Sequence, residues 1–382
     1  MAKKSEPRIA RVTMLEGAGK VVDLEGLNRL SKDIRDTSGS MSRDEARELV
    51  TMYYTVQDNR QRSSSQLREL EDQKKPHQVI QFFRDQFLLQ ENTIKLALDV
   101  YSRNTIMGQW ARGLLGIGPV LASGFEANIN LENCITVGDL WSYAGLNPLA
   151  KWVGRDGSKK IVTELKAYND MKGVSLKSLG TEARTHFVSE CAKALGLKDG
   201  ARLFSRMDGK FTEDDLVKAM AKRPWNPKLK TLCWKLGESF KNFSGNPDGL
   251  YGQLYLERKA YEWPKNLLGD YASQARVRSQ EVRKSTKAYK WYMGQFDPEK
   301  VRKALLMGTP LADMEPHGPT GAFVPMLSPG HIMERSKRYA VKLFLAHYHH
   351  VGWVRVLGKE PPFPYAHAML NHAHVIGPEK AA

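Results

Sequence analysis

One stretch constrains this chain more than any other: Trp110-Ala111-Arg112-Gly113-Leu114-Leu115-Gly116-Ile117-Gly118-Pro119-Val120-Leu121-Ala122. It reads as two helices joined by a tight turn, a helix-hairpin-helix. The first helix should end near Leu115, because Gly116 can take the left-handed conformation that terminates it. Ile117 is the apolar plug between the helices. Gly118 lets the backbone approach a ligand closely. Pro119 suits the first position of a new helix, where no amide hydrogen is needed. Ala122 is small, as a close helix crossing requires. Amides at the start of the second helix, with the helix dipole, then form a nest for phosphate. Such a turn grips a nucleic-acid backbone and reads no bases, so binding should be sequence-tolerant and salt-dependent. The same pattern also fits a tight helix–helix turn with no ligand.

The surrounding chain reads as mostly α. Ser42-Arg43-Asp44-Glu45 has the spacing of a capping box. A charged run without Gly or Pro follows to about Glu71. After Lys74-Lys75-Pro76, the residues Val79, Phe82, Phe83, Phe87, Leu88, Ile94, Leu96, Ala97 and Val100 recur at helical spacing. Residues 41–104 are therefore expected as a helical hairpin or coiled coil, either packing as an ordinary bundle or driving homo-oligomers through 43–104. Residues 1–40 read as a flexible basic arm with a short amphipathic segment, Leu24 to Ile34. Residues 105–262 form the hairpin domain, with an insertion at about 151–224. The insertion opens on a basic turn, Gly154 to Lys160, and carries small helices near 182–195 and 213–222. Residues 263–330 read as a basic segment and linker loop, and 331–382 as a C-terminal helix and tail. No β-alternation and no internal repeat is evident.

Charge points to the partner. The chain holds 58 Lys+Arg against 42 Asp+Glu, a net charge of +16, which favours a polyanion, most often nucleic acid. No apolar run is long enough for a bilayer, and the start shows no secretory h-region. Cys134, Cys191 and Cys233 are odd in number and widely spaced, which fits a reducing, cytoplasmic setting and no zinc framework. The residues expected to meet phosphate are Arg112, Gly116, Ile117, Gly118, Lys151, Arg155, Lys159 and Lys160. Arg335, Arg338 and Lys342 join them as a second face at three- and four-residue spacing on the last helix. Between Arg276 and Lys290, basic residues interleave with Tyr289, Trp291 and Tyr292, as base stacking would want. The alternative there is a solvated face with the rings turned inward. His347 and His350 could share a helix face with His372 or His374 as a third ligand, but no metal motif supports this, and no cofactor is expected. Glu213-Asp214-Asp215 after Thr212 reads as a helix start.

Beyond the turn come Leu140-Trp141-Ser142-Tyr143-Ala144-Gly145-Leu146-Asn147-Pro148. Gly-Ile-Gly-Pro followed by Leu-x-x-Tyr-Ala-Gly-Leu-x-Pro resembles the C-terminal domain of DEDD-type insertion-sequence transposases, the bridge-RNA recombinase family. The resemblance covers about 43–150 and 225–262, where Lys228 to Trp234 is similar to the family's following helical segment. It implies a coiled coil before the hairpin and DNA recombination as the activity. Two parts of the family pattern are missing. Residues 1–40 cannot hold the RuvC-like nuclease domain. The family's serine-glycine pair falls at Val153-Gly154, and Ser158 could replace the serine only if the loop is rearranged.

The expectation is a transposase-related protein that binds DNA, or RNA, by its backbone. It would be an accessory or catalytically degenerate component of a mobile element or phage. The competing expectations are an active transposase or site-specific recombinase, and a coiled-coil assembly protein.

Overall fold

The computed structural model describes residues 33, 35–148, 152–197, 200–362 and 376–378. The arm 1–32 and its amphipathic segment, Lys151 and the tail histidines His367, His372 and His374 lie outside the described residues. Every regular element among the described residues is a helix, so the mostly α expectation holds.

Helix α1 (Arg43–Asp72) starts where Ser42 Oγ accepts the Glu45 amide at 3.1 Å, which satisfies one of the donors that a helix start leaves open. It folds back on α2 (Gln78–Arg103). Their seam is apolar at Ala46, Val50, Tyr53 and Leu98, with one buried carboxylate in it. Glu91 accepts from Tyr53 Oη, Gln57 Nε2 and Arg60 Nε at 3.0, 3.0 and 2.5 Å. Those bonds hold the Glu91 carboxyl below its ordinary range against the upward push of burial.

Helix α3 (Ile106–Arg112), the turn, and α4 (Pro119–Asn128) follow, then α5 (Val137–Tyr143). A capping box opens α5: Thr136 Oγ accepts from the Asp139 amide, and the Asp139 carboxylate accepts from the Thr136 amide.

The insertion holds α6 (Gly154–Tyr168), α7 (Thr181–Ala194), α8 (Ala201–Met207) and α9 (Glu213–Ala221) around its own core of Val162, Phe187, Val188, Cys191, Leu216 and Met220. The expected basic turn at 154–160 is instead the first two turns of α6. Its two glycines are there for packing: Gly154 takes φ +68° at the entry, and a Cβ on Gly157 would sit 2.8 Å from Val153 Cβ. The acidic start of α9 is as expected, since Thr212 Oγ accepts from the Asp215 amide at 3.1 Å.

The chain then returns to the main core through α10 (Pro227–Asn242) and α11 (Leu250–Leu268). A third core holds α12 (Ala272–Ser279), α13 (Lys287–Tyr292), α14 (Pro298–Leu306), and Met326 and Leu327 of the stretch before α15. That stretch, expected as a linker loop, is clasped instead. Asn266 Nδ2 donates to the Leu327 carbonyl at 2.9 Å, and the Leu327 amide donates back to Asn266 Oδ1 at 2.8 Å. Of the two readings left open for the rings at 291 and 292, base stacking or an inward turn, the inward one holds: Trp291 and Tyr292 are buried, with Trp291 stacked on Phe296 at 4.1 Å.

The last helix, α15 (Pro329–Arg355), is no appendage. Its Ala340, Val341, Phe344, Leu345 and Tyr348 lie in the main core. Phe344 meets Trp110, Phe125, Phe240 and Tyr251, so aromatic rings from α3, α4, α10 and α11 converge on one side chain. Its spacing marked it as a helix, but which neighbours its stripe would bury against was set only by the tertiary fold.

Candidate nucleic-acid interface

The hairpin turn has the expected backbone. Gly116 sits at φ +90°, the left-handed region that favours glycine. Its carbonyl accepts from Ser239 Oγ at 2.5 Å, and a Cβ there would lie 3.2 Å from that oxygen. The turn is thus clasped by the end of α10. Ile117 is buried in the main core as the plug. Helix α3 ends at Arg112, earlier than the expected Leu115. Gly118 is the N-cap of α4, exposed, with open space where a Cβ would be and no side chain capping the helix. The small residues that permit close crossing are Ala122 and also Gly124, where a Cβ would come within 2.9 Å of Leu232.

The basic residues expected around this turn are dispersed. Arg112 is tied to Asp99 and donates to Ser102 Oγ at 3.2 Å, so its guanidinium is spent inside the fold. Arg155 pairs with Asp214 at 2.9 Å and Lys160 faces Glu164 at 3.9 Å. Lys159 is exposed. These three ride on α6 with the separate core of the insertion. Ser158, the substitute nucleophile, is fully buried and donates to the Gly154 carbonyl at 2.6 Å. Val153 packs against the insertion core.

A different set of residues does come together. The Tyr143-Ala144-Gly145-Leu146 segment and the segment before α10 meet directly. The Asn226 amide donates to the Tyr143 carbonyl at 2.8 Å, and Asn226 Nδ2 to Tyr143 Oη at 3.0 Å. Gly145, at φ +69°, leaves room for Trp225 and for the stem of Lys230. Lys230 Nζ then lies 4.0 Å over the Trp225 ring. Across from it on α15 stand Arg338 and Lys342. Lys342 lies over Trp141 at 4.8 Å, and Trp141 Nε1 donates to the Lys342 carbonyl at 2.9 Å. Arg223 lies over Trp152 at 4.6 Å.

Between α10 and α15 is a cleft of about 530 Å³. Lys230, Trp234, Arg278, His331, Lys337 and Arg338 are on its walls. Their charges divide into two groups. Lys337 is buried against Glu238 and Glu334, and Arg278 holds Glu281. Arg335, the third expected residue of the α15 face, pairs with the fully buried Glu262 at 2.8 Å and stacks on Tyr271. Arg223, Lys230, Arg338 and Lys342 have no carboxylate within ion-pair reach among the described residues. Burial lowers the Lys230 pKa, reinforced by Arg223 and Arg338. Burial lowers that of Lys342, reinforced by Arg338. His331 is pulled down to about 4 by burial and by Arg278, Arg338 and Arg335, so it is neutral near pH 7. His347, a candidate metal ligand, is engaged otherwise, at 2.8 Å from Tyr251 Oη and 2.7 Å from the Ile376 carbonyl.

The sequence flagged Arg338 and Lys342 but missed Arg223, Lys230 and Trp234. Lys230 and Trp234 stand in the Lys228–Trp234 segment singled out for its resemblance, but no spacing rule says which of its cations lack a partner. Comparison with protein-family models, with curated proteins and with solved structures finds no match to this chain. No helix among the described residues is long and apolar enough to cross a membrane.

Proposed function

We propose that this protein binds nucleic acid, DNA in the first instance, through its phosphate backbone, as a non-catalytic component related to transposases. The observation that carries the reading is positive charge left unneutralised by the fold: Arg223, Lys230, Arg338 and Lys342, in a chain of net charge +16. Like charges gathered without a counter-charge disfavour their own ionised forms, and a polyanion relieves this. The open N-terminus of α4 at Gly118 adds uncapped amides. The non-catalytic part rests on Ser158, whose hydroxyl is buried and bonded, and on Val153, which has no nucleophilic atom.

Fluorescence anisotropy with duplex and single-stranded oligonucleotides over a salt series tests this. Binding should weaken linearly in log–log form as salt rises. Gly118→Glu should weaken duplex binding, and Lys159→Ala with Lys160→Ala should lower the salt slope. No binding at low salt, or full affinity in both variants, would sink the reading. Mg²⁺-dependent strand cleavage lost in Ser158→Ala would restore the recombinase alternative.

A second reading, self-association through residues 43–104, is favoured by a separate observation. Helix α2 exposes Val79 (71%), Phe83 (54%) and Leu89 (58%), together with Phe82 and Leu96. Val79, Phe82, Leu89 and Leu96 keep heptad spacing, the seam a second helix would cover. Light scattering should show a multimer that Phe82→Lys with Leu89→Lys reduces to monomer. An unchanged mass removes this reading.

A further inference from the structure

We propose that the cleft between α10 and α15 is a nucleotide subsite that takes one unpaired nucleotide of a single strand, its phosphate against Arg338 and Lys230 and its base against the Trp234 indole. The proposal rests on the nucleic-acid reading for its ligand class, and adds a place and a strand state.

Three features of the cleft define the ligand. The first is charge. Lys230 and Arg338 face the same space from opposite helices, and neither has a carboxylate within ion-pair reach among the described residues, whereas the neighbouring Lys337, Arg335 and Arg278 all do. Of the four cations lining the cleft, Arg278 and Lys337 pair with Glu281 and Glu334, which line it with them, so Lys230 and Arg338 are the two left for an anion from outside. Arg338 also spends only its Nε, on the Glu334 carbonyl at 3.2 Å. The rest of its planar guanidinium fork has no hydrogen-bond partner among the described residues, and its shape suits two oxygens of one phosphate.

The second feature is Trp234. It is 54% exposed although it sits in the middle of α10, and it lines the cleft. Lys337 Nζ lies 5.8 Å from its ring centre, and Lys337 is itself buried among carboxylates, so the ring stays open to a ligand. An exposed indole beside open cations is the combination that stacks a base while its phosphate is held. Tyr292, the other large ring lining the cleft, is buried with its hydroxyl 3.4 Å from Ser328 Oγ, and nearby Trp225 and Trp141 lie under Lys230 and Lys342.

The third feature is size. A volume of about 530 Å³ is in the range of small-molecule pockets, roughly 300–1,000 Å³. That is room for one nucleotide. Gly330 and His331, in the first turn of α15, also line it. Neutral His331 presents no repulsion to a base and leaves the anion to the two cations.

The experiment uses the full chain with four probes: oligo(dT), a blunt duplex of equal length, thymidine monophosphate and inorganic phosphate. Oligo(dT) should quench tryptophan fluorescence, and the quench should disappear in Trp234→Leu with affinity falling about tenfold or more. Arg338→Gln should weaken oligo(dT) by a similar factor and lower its salt slope by about 0.7. Both side chains are solvent-accessible, so circular dichroism of the two variants should match wild type. Trp234→Leu should keep wild-type duplex affinity, whereas Arg338→Gln, which removes one of the unneutralised charges, and Gly118→Glu should both lower it. Weak binding of thymidine monophosphate with none of phosphate supports a subsite for base plus phosphate. Equal binding of phosphate and nucleotide overturns the role of Trp234. Unchanged oligo(dT) affinity in both variants of a protein that does bind DNA overturns the cleft alone. Failure of wild type to bind either strand form overturns the wider reading with it.

Discussion

Gly145 meets two constraints at once. Its φ of +69° disfavours any side chain, and a Cβ would come within 2.8 Å of Trp225 Cγ and 2.9 Å of Lys230 Cδ. Left-handed backbone alone costs an L-residue about 1–2 kcal/mol, and the contacts with the ring and the lysine stem add to it. Gly145→Ala should therefore destabilise the protein by about 2–3 kcal/mol in urea unfolding. Gly118→Ala, at φ −87° with open space around it, should stay near wild type; equal losses at both positions would refute this account. His331 makes a pH prediction. Its ordinary value is 6.5, and in the fold it is held near 4. Between those values the unfolded chain binds a proton that the native state refuses, so stability falls as pH drops from about 6.5 toward 4. Buried His349, also pulled down chiefly by burial, acts in the same direction. Urea midpoints at pH 7 and 4.5 should differ less in His331→Gln than in wild type; parallel shifts would show that the group contributes nothing.

At the scale of elements, the α1–α2 hairpin depends on one carboxylate. Removing Glu91 leaves Arg60, Gln57 and Tyr53 aimed at a void, and breaking a buried ion pair from one side costs about 3–5 kcal/mol. Glu91→Ala should lower stability by about 3 kcal/mol and Glu91→Gln by less, read from denaturant melts; two equal losses would mean that the charge is irrelevant. The start of α6 shows how a local signal misleads. Two glycines and a run of basic residues look like a turn, because glycine weakens helices by about 1 kcal/mol relative to alanine. Gly157 is tolerated because any larger residue would strike Val153. Capping residues were more dependable. Ser42 and Thr212, the two caps read from the sequence, both accept an amide at their helix starts, since a cap is satisfied within its own few residues; Thr136 and Ser328 do the same without having been read as caps.

At the scale of the whole molecule, the described residues hold three large cores and a small one at Ala46, Tyr101 and Ala127, and α15 links two of the large ones. The core of the insertion is built from its own helices, and its Arg155–Asp214 and Lys166–Glu213 ion pairs are internal. A fragment of residues 152–223 should thus be helical with a cooperative thermal melt by circular dichroism; a featureless coil would show that it needs the main core. The three cysteines are buried, and burial raises the pKa of Cys134 to about 11 and of Cys191 to about 12. None should react with a thiol reagent in the native state at pH 7.5, and all three should react in denaturant.

The sequence alone determined what depends on neighbours along the chain: the mostly helical content, the α1–α2 hairpin, the capped starts, and the left-handed Gly116 before Ile117 and Pro119. Spacing, propensity and caps are local, so they are legible without a fold. The hairpin with which the argument began kept its backbone but lost Arg112 to Asp99, a partner in α2 that no spacing reveals. Only the tertiary structure decided that α15 runs through the core, that Trp291 and Tyr292 face inward, and that Arg223, Lys230, Arg338 and Lys342 stand without a carboxylate among the described residues. A charge acts by what it finally lies beside, and residues more than a hundred positions apart are brought side by side only by packing.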